Sequence, residues 1–132
     1  MSALVIDTSS WISYFAGNDD SLGELIDEGL RESRVYLPPL VAAELLSGAV
    51  RRRDSVALKD LLTDLPVCPT PLAHWFRVGE LRHRLRSKGL AVSTPDSHIA
   101  QCALDLNAQL LTEDEAFRLI ARHVPLRLAD GG

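Results

Sequence analysis

"LVIDTSSW", residues 4 to 11, is the stretch on which the reading of this chain turns. An aliphatic run, Ala3–Ile6, has the character of a buried strand, and it stops at a carboxylate, Asp7, followed at once by Thr8, Ser9 and Ser10. A single acid at a strand end is ordinarily a turn former or a helix cap. The stretch gains meaning when other acids arrive at the same place in the fold.

Working outward, four more segments read as short strands: Arg34–Leu37, Val67–Thr70, Gln109–Thr112 and Leu126–Leu128. Helical spacing fills the intervals. Leu22, Leu25, Ile26 and Leu30 lie at i, i+3, i+4 and i+8, one face of a helix. A second helix is expected from Leu40 to Arg52 after Pro38 and Pro39, and a third from Val56 to Leu65. A long one follows Pro71 and ends near Gly89, a residue suited to a helix C-terminus. "STPDSHIAQCALDLN" is read with Thr94 as N-cap and Pro95 at the first helical position, and "DEAFRLIARH" is the last. Strands alternating with helices predict a three-layer α/β/α domain around a central, mainly parallel five-stranded sheet. In such sheets ligands bind beyond the carboxyl ends of the strands, where strand order reverses.

Composition narrows the classes. The 132 residues predict one domain spanning 1–132, with 46% hydrophobic and 24% charged residues, a globular balance. No apolar run approaches the roughly 20 residues that span a bilayer. The first residues lack a basic region and read as a strand, not a signal peptide, so a cytoplasmic location is expected. Cys68 and Cys102 form no CxxC pair and read as reduced, buried small hydrophobes. The formal net charge is −4, against the basic balance of proteins that hold nucleic acid by bulk electrostatics.

Four acids stand at informative positions. Asp7 ends the first strand, and Asp114 lies just past "QLLT" at the end of the fourth expected strand. Asp96 sits in the first turn of a helix, and Glu44 interrupts the apolar "LVAAELLSGAV". Singly, Asp7 is a turn residue, Asp96 complements a helix dipole, and Asp114 caps "EAFRLI". Glu44 is harder to dismiss, because an unpaired buried carboxylate costs several kcal/mol. If the first and fourth strands are neighbours, all four converge at one sheet edge. Clustered carboxylates repel unless a hard divalent cation gathers them. Such a centre activates water and shields an attacked phosphate, with Thr8, Ser9 and Thr112 as hydroxyls that orient the acids.

The set "IDTS…AAELLSG…TPDSHIA…LLTEDEAF" resembles the PIN-domain ribonucleases, specifically the VapC-type toxins of toxin–antitoxin pairs, along nearly the whole chain. The resemblance implies that Asp7, Glu44, Asp96 and Asp114 are the metal-binding and catalytic acids. The family's hydroxyl after the first acid falls on Thr8 or Ser9, and the one before the last acid on Thr112. Glu113 and Glu115 flank Asp114, which leaves open whether either assists it. Also implied are cleavage of single-stranded RNA with Mg²⁺ or Mn²⁺, a homodimer, and inhibition by a VapB-type antitoxin that itself binds DNA. The four acids together equal the formal charge of −4, so the rest of the molecule is balanced. Arg86 and Lys88, ahead of the loop to Asp96, are candidate RNA contacts, whereas Arg82 and Arg84 read equally well as a solvated face. Arg51–Arg53 reads as a helix C-terminus.

The four histidines form no evident ligand set: His98 is read as outward-facing despite its place two residues from Asp96, and His74, His83 and His123 as surface. Trp11, Tyr14 and Phe15 follow Asp7 on a short helix, where core packing is expected for two, and an exposed member would mark a groove for a partner segment. Two rivals stand beside this reading. A haloacid-dehalogenase-type phosphatase needs a second acid two residues past the first, where Ser9 stands, and a lysine near the phosphate. Lys59 and Lys88 are the only lysines, and neither ends a strand. A non-catalytic PIN-like interaction module would lack an acid, and none is missing.

Overall fold

The computed structural model describes residues 2–17, 20–49 and 51–129. Strand β1 (Leu4–Ile6) is flanked in a parallel sheet by β2 (Val35–Tyr36) and β3 (Gln109–Leu111), and β4 (Arg127–Leu128) extends the sheet beyond β3. Leu4, Val5 and Ile6 are each at most 3% exposed, as expected for a strand covered on both faces. The sheet has four strands where five are expected. Val67–Thr70 contributes only a bridge, Val67 to Leu37: its alternate residues Val67 and Pro69 are exposed, so one face of the segment is uncovered.

Helices α1 (Thr8–Ala16), α2 (Asp20–Arg31), α3 (Pro39–Glu44), α4 (Ser55–Thr63), α5 (Leu72–Ser87), α6 (Thr94–Leu106) and α7 (Glu115–Ala121) surround the sheet. Three boundaries differ from expectation. The helix expected over Leu40–Arg52 is α3 followed by one π-helical turn, Leu45–Ala49. Val50 lies outside the described residues. Arg52–Asp54 then forms a 3₁₀ turn leading into α4, so the three arginines precede a helix instead of closing one. The cap of α6 is Ser93, not Thr94: Ser93 Oγ accepts from the Asp96 backbone N–H at 3.2 Å. A hydroxyl at either position could serve, and the geometry selects the one three residues before the free N–H.

The helix after Pro71 ends as expected, with Gly89 at φ +82°. Gly29 marks the closest approach of α2 to the sheet: a Cβ there would lie 2.9 Å from Leu4 Cδ2 and 3.1 Å from Val35 Cγ2.

Register positions the site. Leu4, Val5 and Ile6 pair with Gln109, Leu110 and Leu111, while Leu4 and Val5 also pair with Val35 and Tyr36. Asp7 and Thr112 therefore leave the sheet at the same level, and the chain leaving β2 enters α3 at that edge. Because β1 lies between β2 and β3, successive connections run to opposite sides of it, and the crevice of an open α/β sheet forms there.

Candidate functional site

Asp7 is 2% exposed and caps α1. Its Oδ1 accepts from the Ser10 backbone N–H at 2.8 Å, and the Ser9 hydroxyl donates to it at 3.1 Å. The Thr112 hydroxyl donates to Oδ2. These donors, with the N-terminus of α1, compensate a carboxylate that would otherwise be costly to bury. Thr112 also accepts from the Asp114 N–H at 2.9 Å, while Asp114 Oδ1 accepts from the Ala116 N–H at 2.9 Å. One threonine thus ties the first acid to the loop that carries the last.

Glu44 closes α3 immediately before the π-helical turn, a distortion that often accompanies functional positions. The Thr8 hydroxyl donates to Glu44 Oε1 at 2.7 Å, linking α1 to α3. Asp96, the third residue of α6, is half-buried, and α6 packs on α3. Burial raises the Asp96 pKa first, and the Asp114 charge raises it further. A hydrogen bond with Ser93 opposes this, and Glu44 and Asp7 add smaller upward pushes. All three other acids therefore act on Asp96 through space. Among the described residues no arginine, lysine or histidine forms an ion pair with any of the four.

The donor chemistry fits a hard cation: oxygen ligands only, excess negative charge and no competing cationic side chain. Among the described residues the acids form no trio at metal-ligand spacing; a Mg²⁺-like ion retains several waters and takes only one or two carboxylates directly.

The other sequence candidates divide. Ser9, Thr8 and Thr112 all donate to the acids, as expected of orienting hydroxyls. Glu113 and Glu115 are exposed, and Glu115 faces Arg118 at 3.7 Å. Arg82 donates to the Val92 carbonyl at 2.9 Å and Arg84 to the His123 carbonyl at 3.2 Å, so both brace loops. Arg86 and Lys88 are exposed. Trp11 is 1% exposed and stacks on Phe15 at 5.6 Å, whereas Phe15 is 42% exposed. Ile12 and Leu46, the latter in the π-helical turn against α1, are likewise exposed.

The histidines are the main correction. His74 and His98 are fully buried, not surface or outward-facing, and bonded to each other at 2.8 Å. Burial first, then His74, lowers the His98 pKa to about 4. Their helical phase was the available signal: His98 and Cys102 fall one turn apart on α6, the most buried helix. Ser10, among the hydroxyl residues noted after Asp7, holds it through its backbone N–H, and Ser93 takes the cap of α6 expected at Thr94.

A parallel sheet with hydroxyl-braced acids at its switch point defines a class of metal-dependent phosphoryl-transfer domains, and the PIN domain model matches residues 4–123. The chain belongs to the PIN-domain family. It is 30% identical over 130 residues to a VapC ribonuclease of Mycobacterium bovis and to ribonuclease VapC11 of Mycobacterium tuberculosis, covering 96% of this chain and 97% of each relative. Among solved structures it is similar to VapBC-1 from nontypeable Haemophilus influenzae (TM-score 0.78, 25% identity, 98% of both chains). It also resembles VapBC2 from Rickettsia felis bound to a promoter DNA fragment (TM-score 0.79, 24% identity, 96% of this chain and 97% of that one).

Proposed function

We propose that this chain is a divalent-metal-dependent endoribonuclease that cleaves single-stranded RNA, the toxin of a VapBC-type toxin–antitoxin pair that inhibits translation. The observation that carries the reading is that Asp7, Glu44 and Asp114 all lie close enough to Asp96 to raise its pKa. The hydroxyls of Thr8, Ser9 and Thr112 brace the acids, and none of the four has an ion-pair partner among the described residues. Similarity to VapC ribonucleases along the whole chain supports the substrate class.

In this reading the four acids hold Mg²⁺, with Mn²⁺ able to substitute. When bound, the cation polarises the scissile phosphate and makes water a stronger nucleophile. The chain's own work is positional. Thr112 donates to Oδ2 of Asp7, the Ser10 N–H donates to Oδ1, and the Ser9 hydroxyl reaches both oxygens, so its lone pairs point in set directions before substrate arrives. Thr8 does the same for Glu44. Arg86 and Lys88 supply phosphate contacts along the approach, each strengthening binding without reading sequence.

The chain acts as a single domain in the cytoplasm and as a homodimer; among the described residues no helix is long and apolar enough to cross a membrane. A VapB-type antitoxin segment covers Phe15 beside Trp11 and Tyr14, and contact with DNA comes only through that antitoxin. The test is cleavage of total RNA by purified protein. Activity is expected with Mg²⁺ or Mn²⁺ and none in excess EDTA; full activity in chelator would refute the metal-dependent reading.

A further inference from the structure

Away from the acids, a second cluster is assembled from three parts of the chain. His74 lies in the first turn of α5, His98 and Cys102 lie one turn apart on α6, and Cys68 follows the bridge beside β2. The histidines are 0% exposed and the cysteines 1%. His74 Nε2 is 2.8 Å from His98 Nδ1, and Cys102 Sγ is 3.9 Å from that His98 nitrogen and 3.7 Å from the ring's Nε2. The His74, His98 and Cys102 ligand atoms all lie within 4.8 Å of one another. Cys68, equally buried, neighbours Cys102, and that neighbour first, with burial second, pushes the Cys102 thiol pKa up.

The surroundings are organised to aim these groups. Asp105 Oδ2 accepts from His74 Nδ1 at 2.8 Å. That carboxylate is itself gripped by Arg77 at 2.9 and 3.0 Å and by Gln101 at 2.8 Å. With its proton on Nδ1, neutral His74 directs the Nε2 lone pair into the cluster. Trp75 stacks on His98, 4.8 Å between centroids and 7° from parallel, which fixes the second ring. A carboxylate behind a histidine is the usual way proteins orient an imidazole ligand.

We propose that His74, His98, Cys68 and Cys102 form a structural Zn²⁺ site that clamps α5 and α6 to the segment after β2. Charge favours it: two thiolates and two neutral imidazoles around Zn²⁺ sum to zero, so the complete site is buried without net charge, whereas thiolates alone would not be. On binding, each cysteine releases its proton to solvent, two per ion, and the His98 proton moves from Nδ1 to Nε2 so that Nδ1 ligates. Zn–N and Zn–S bond lengths in a tetrahedron place N···N at about 3.3 Å and N···S at about 3.6 Å. The 2.8 Å N···N separation needs about half an ångström of widening to meet these values. Cys102 Sγ, 3.9 Å from His98 Nδ1 and 3.7 Å from Nε2, lies beside the ring between the two nitrogens and must rotate towards the Nδ1 lone pair to ligate. The site is distinct from the acid cluster in ligand type, and its softness selects against Mg²⁺.

Co²⁺ added to the reduced, chelator-treated full chain reads the site out. One equivalent should produce strong tetrahedral absorption with a thiolate-to-cobalt charge-transfer band, displaced by Zn²⁺. The band should survive Asp96→Asn, because oxygen ligands contribute no sulfur transition. Cys102→Ser should diminish it, and Asp105→Asn should weaken Co²⁺ binding on the order of 10–100-fold while keeping the band's shape. Should Cys102→Ser fail to fold, alkylation of the wild type decides: Zn²⁺ should protect both thiols in mild denaturant. A folded, reduced chain that takes up Co²⁺ without a sulfur band, or whose thiols gain no protection, would overturn the proposal and leave the cluster a hydrogen-bonded core network. A band that vanishes in Asp96→Asn would do the same.

Discussion

At the residue scale, Asp7 serves the fold and, in the proposed function, the chemistry as well. It caps α1 through the Ser10 N–H and receives hydroxyls from Ser9 and Thr112, so the residue that starts the first helix is also the most buried acid of the site. Thr8 plays the complementary part for Glu44. Thr8→Val keeps shape and β-branching but leaves Glu44 without its donor. Metal affinity is expected to fall on the order of 10–100-fold, measured by titrating cleavage against Mn²⁺; unchanged affinity would remove Thr8 from the site. Tyr14 offers a titration. Its hydroxyl donates to Asp27 at 2.5 Å, and that bond foremost, with burial and the Asp27 charge, raises its pKa to about 12. The folded state thus favours the neutral phenol. The stability this contributes is complete below pH 10 and is lost as pH climbs from about 10 towards 12. Denaturant melts across that window should show a decline that Tyr14→Phe lacks.

At the scale of elements, the pairing register brings Asp7 level with Thr112, and the order β2, β1, β3, β4 places the crevice between them. Much of this was legible: alternating aliphatic runs and helical spacings located β1, β2, β3 and all of the major helices. What failed has physical causes. Val67–Thr70 has strand composition but no second covered face, so it remains a bridge. The π-helical turn after Glu44 leaves no mark in an apolar pattern, because its residues are ordinary helix formers. His74 and His98 were read as surface since polarity ordinarily implies exposure, and only tertiary partners such as Asp105 make their burial affordable. Gly29 tests the closeness of α2 to the sheet. Gly29→Ala should gain about 1 kcal/mol of helix propensity but lose about 1–3 kcal/mol to crowding against Leu4 and Val35. A thermal melt should show a net loss; a gain would mean that both side chains rotate away freely.

For the whole molecule, the four acids match the formal charge of −4, and neutralising them leaves a balanced surface on which, in the proposed function, Arg86 and Lys88 meet phosphates. Apolar exposure at Phe15, Ile12 and Leu46 lies on or against α1, the helix that Asp7 starts. In the proposed function a partner segment seated there extends towards the acids, so that one contact silences cleavage. Phe15→Ser is therefore expected to weaken capture by a VapB-type segment at least tenfold, roughly 1.4 kcal/mol, while losing far less of its RNA cleavage. Equal loss of both would place Phe15 in the catalytic fold instead of the partner groove.

The central claim is that the acids converge to hold metal for RNA cleavage, and Asp7→Asn tests it most directly in thermal melts with and without Mn²⁺ beside an RNA cleavage assay. Asparagine keeps the shape and the carbonyl acceptor for Ser10 while removing one of the mutually repelling charges. The metal-free variant should be as stable as the wild type or more so, by about 1 kcal/mol where repulsion dominates. Mn²⁺ at a hundredfold excess over its dissociation constant should stabilise the wild type by about 2.7 kcal/mol and the variant much less, with cleavage at background. An Asp7→Asn protein that cleaves RNA normally and gains the same stability from Mn²⁺ would contradict the account, leaving Asp7 a helix cap and nothing more.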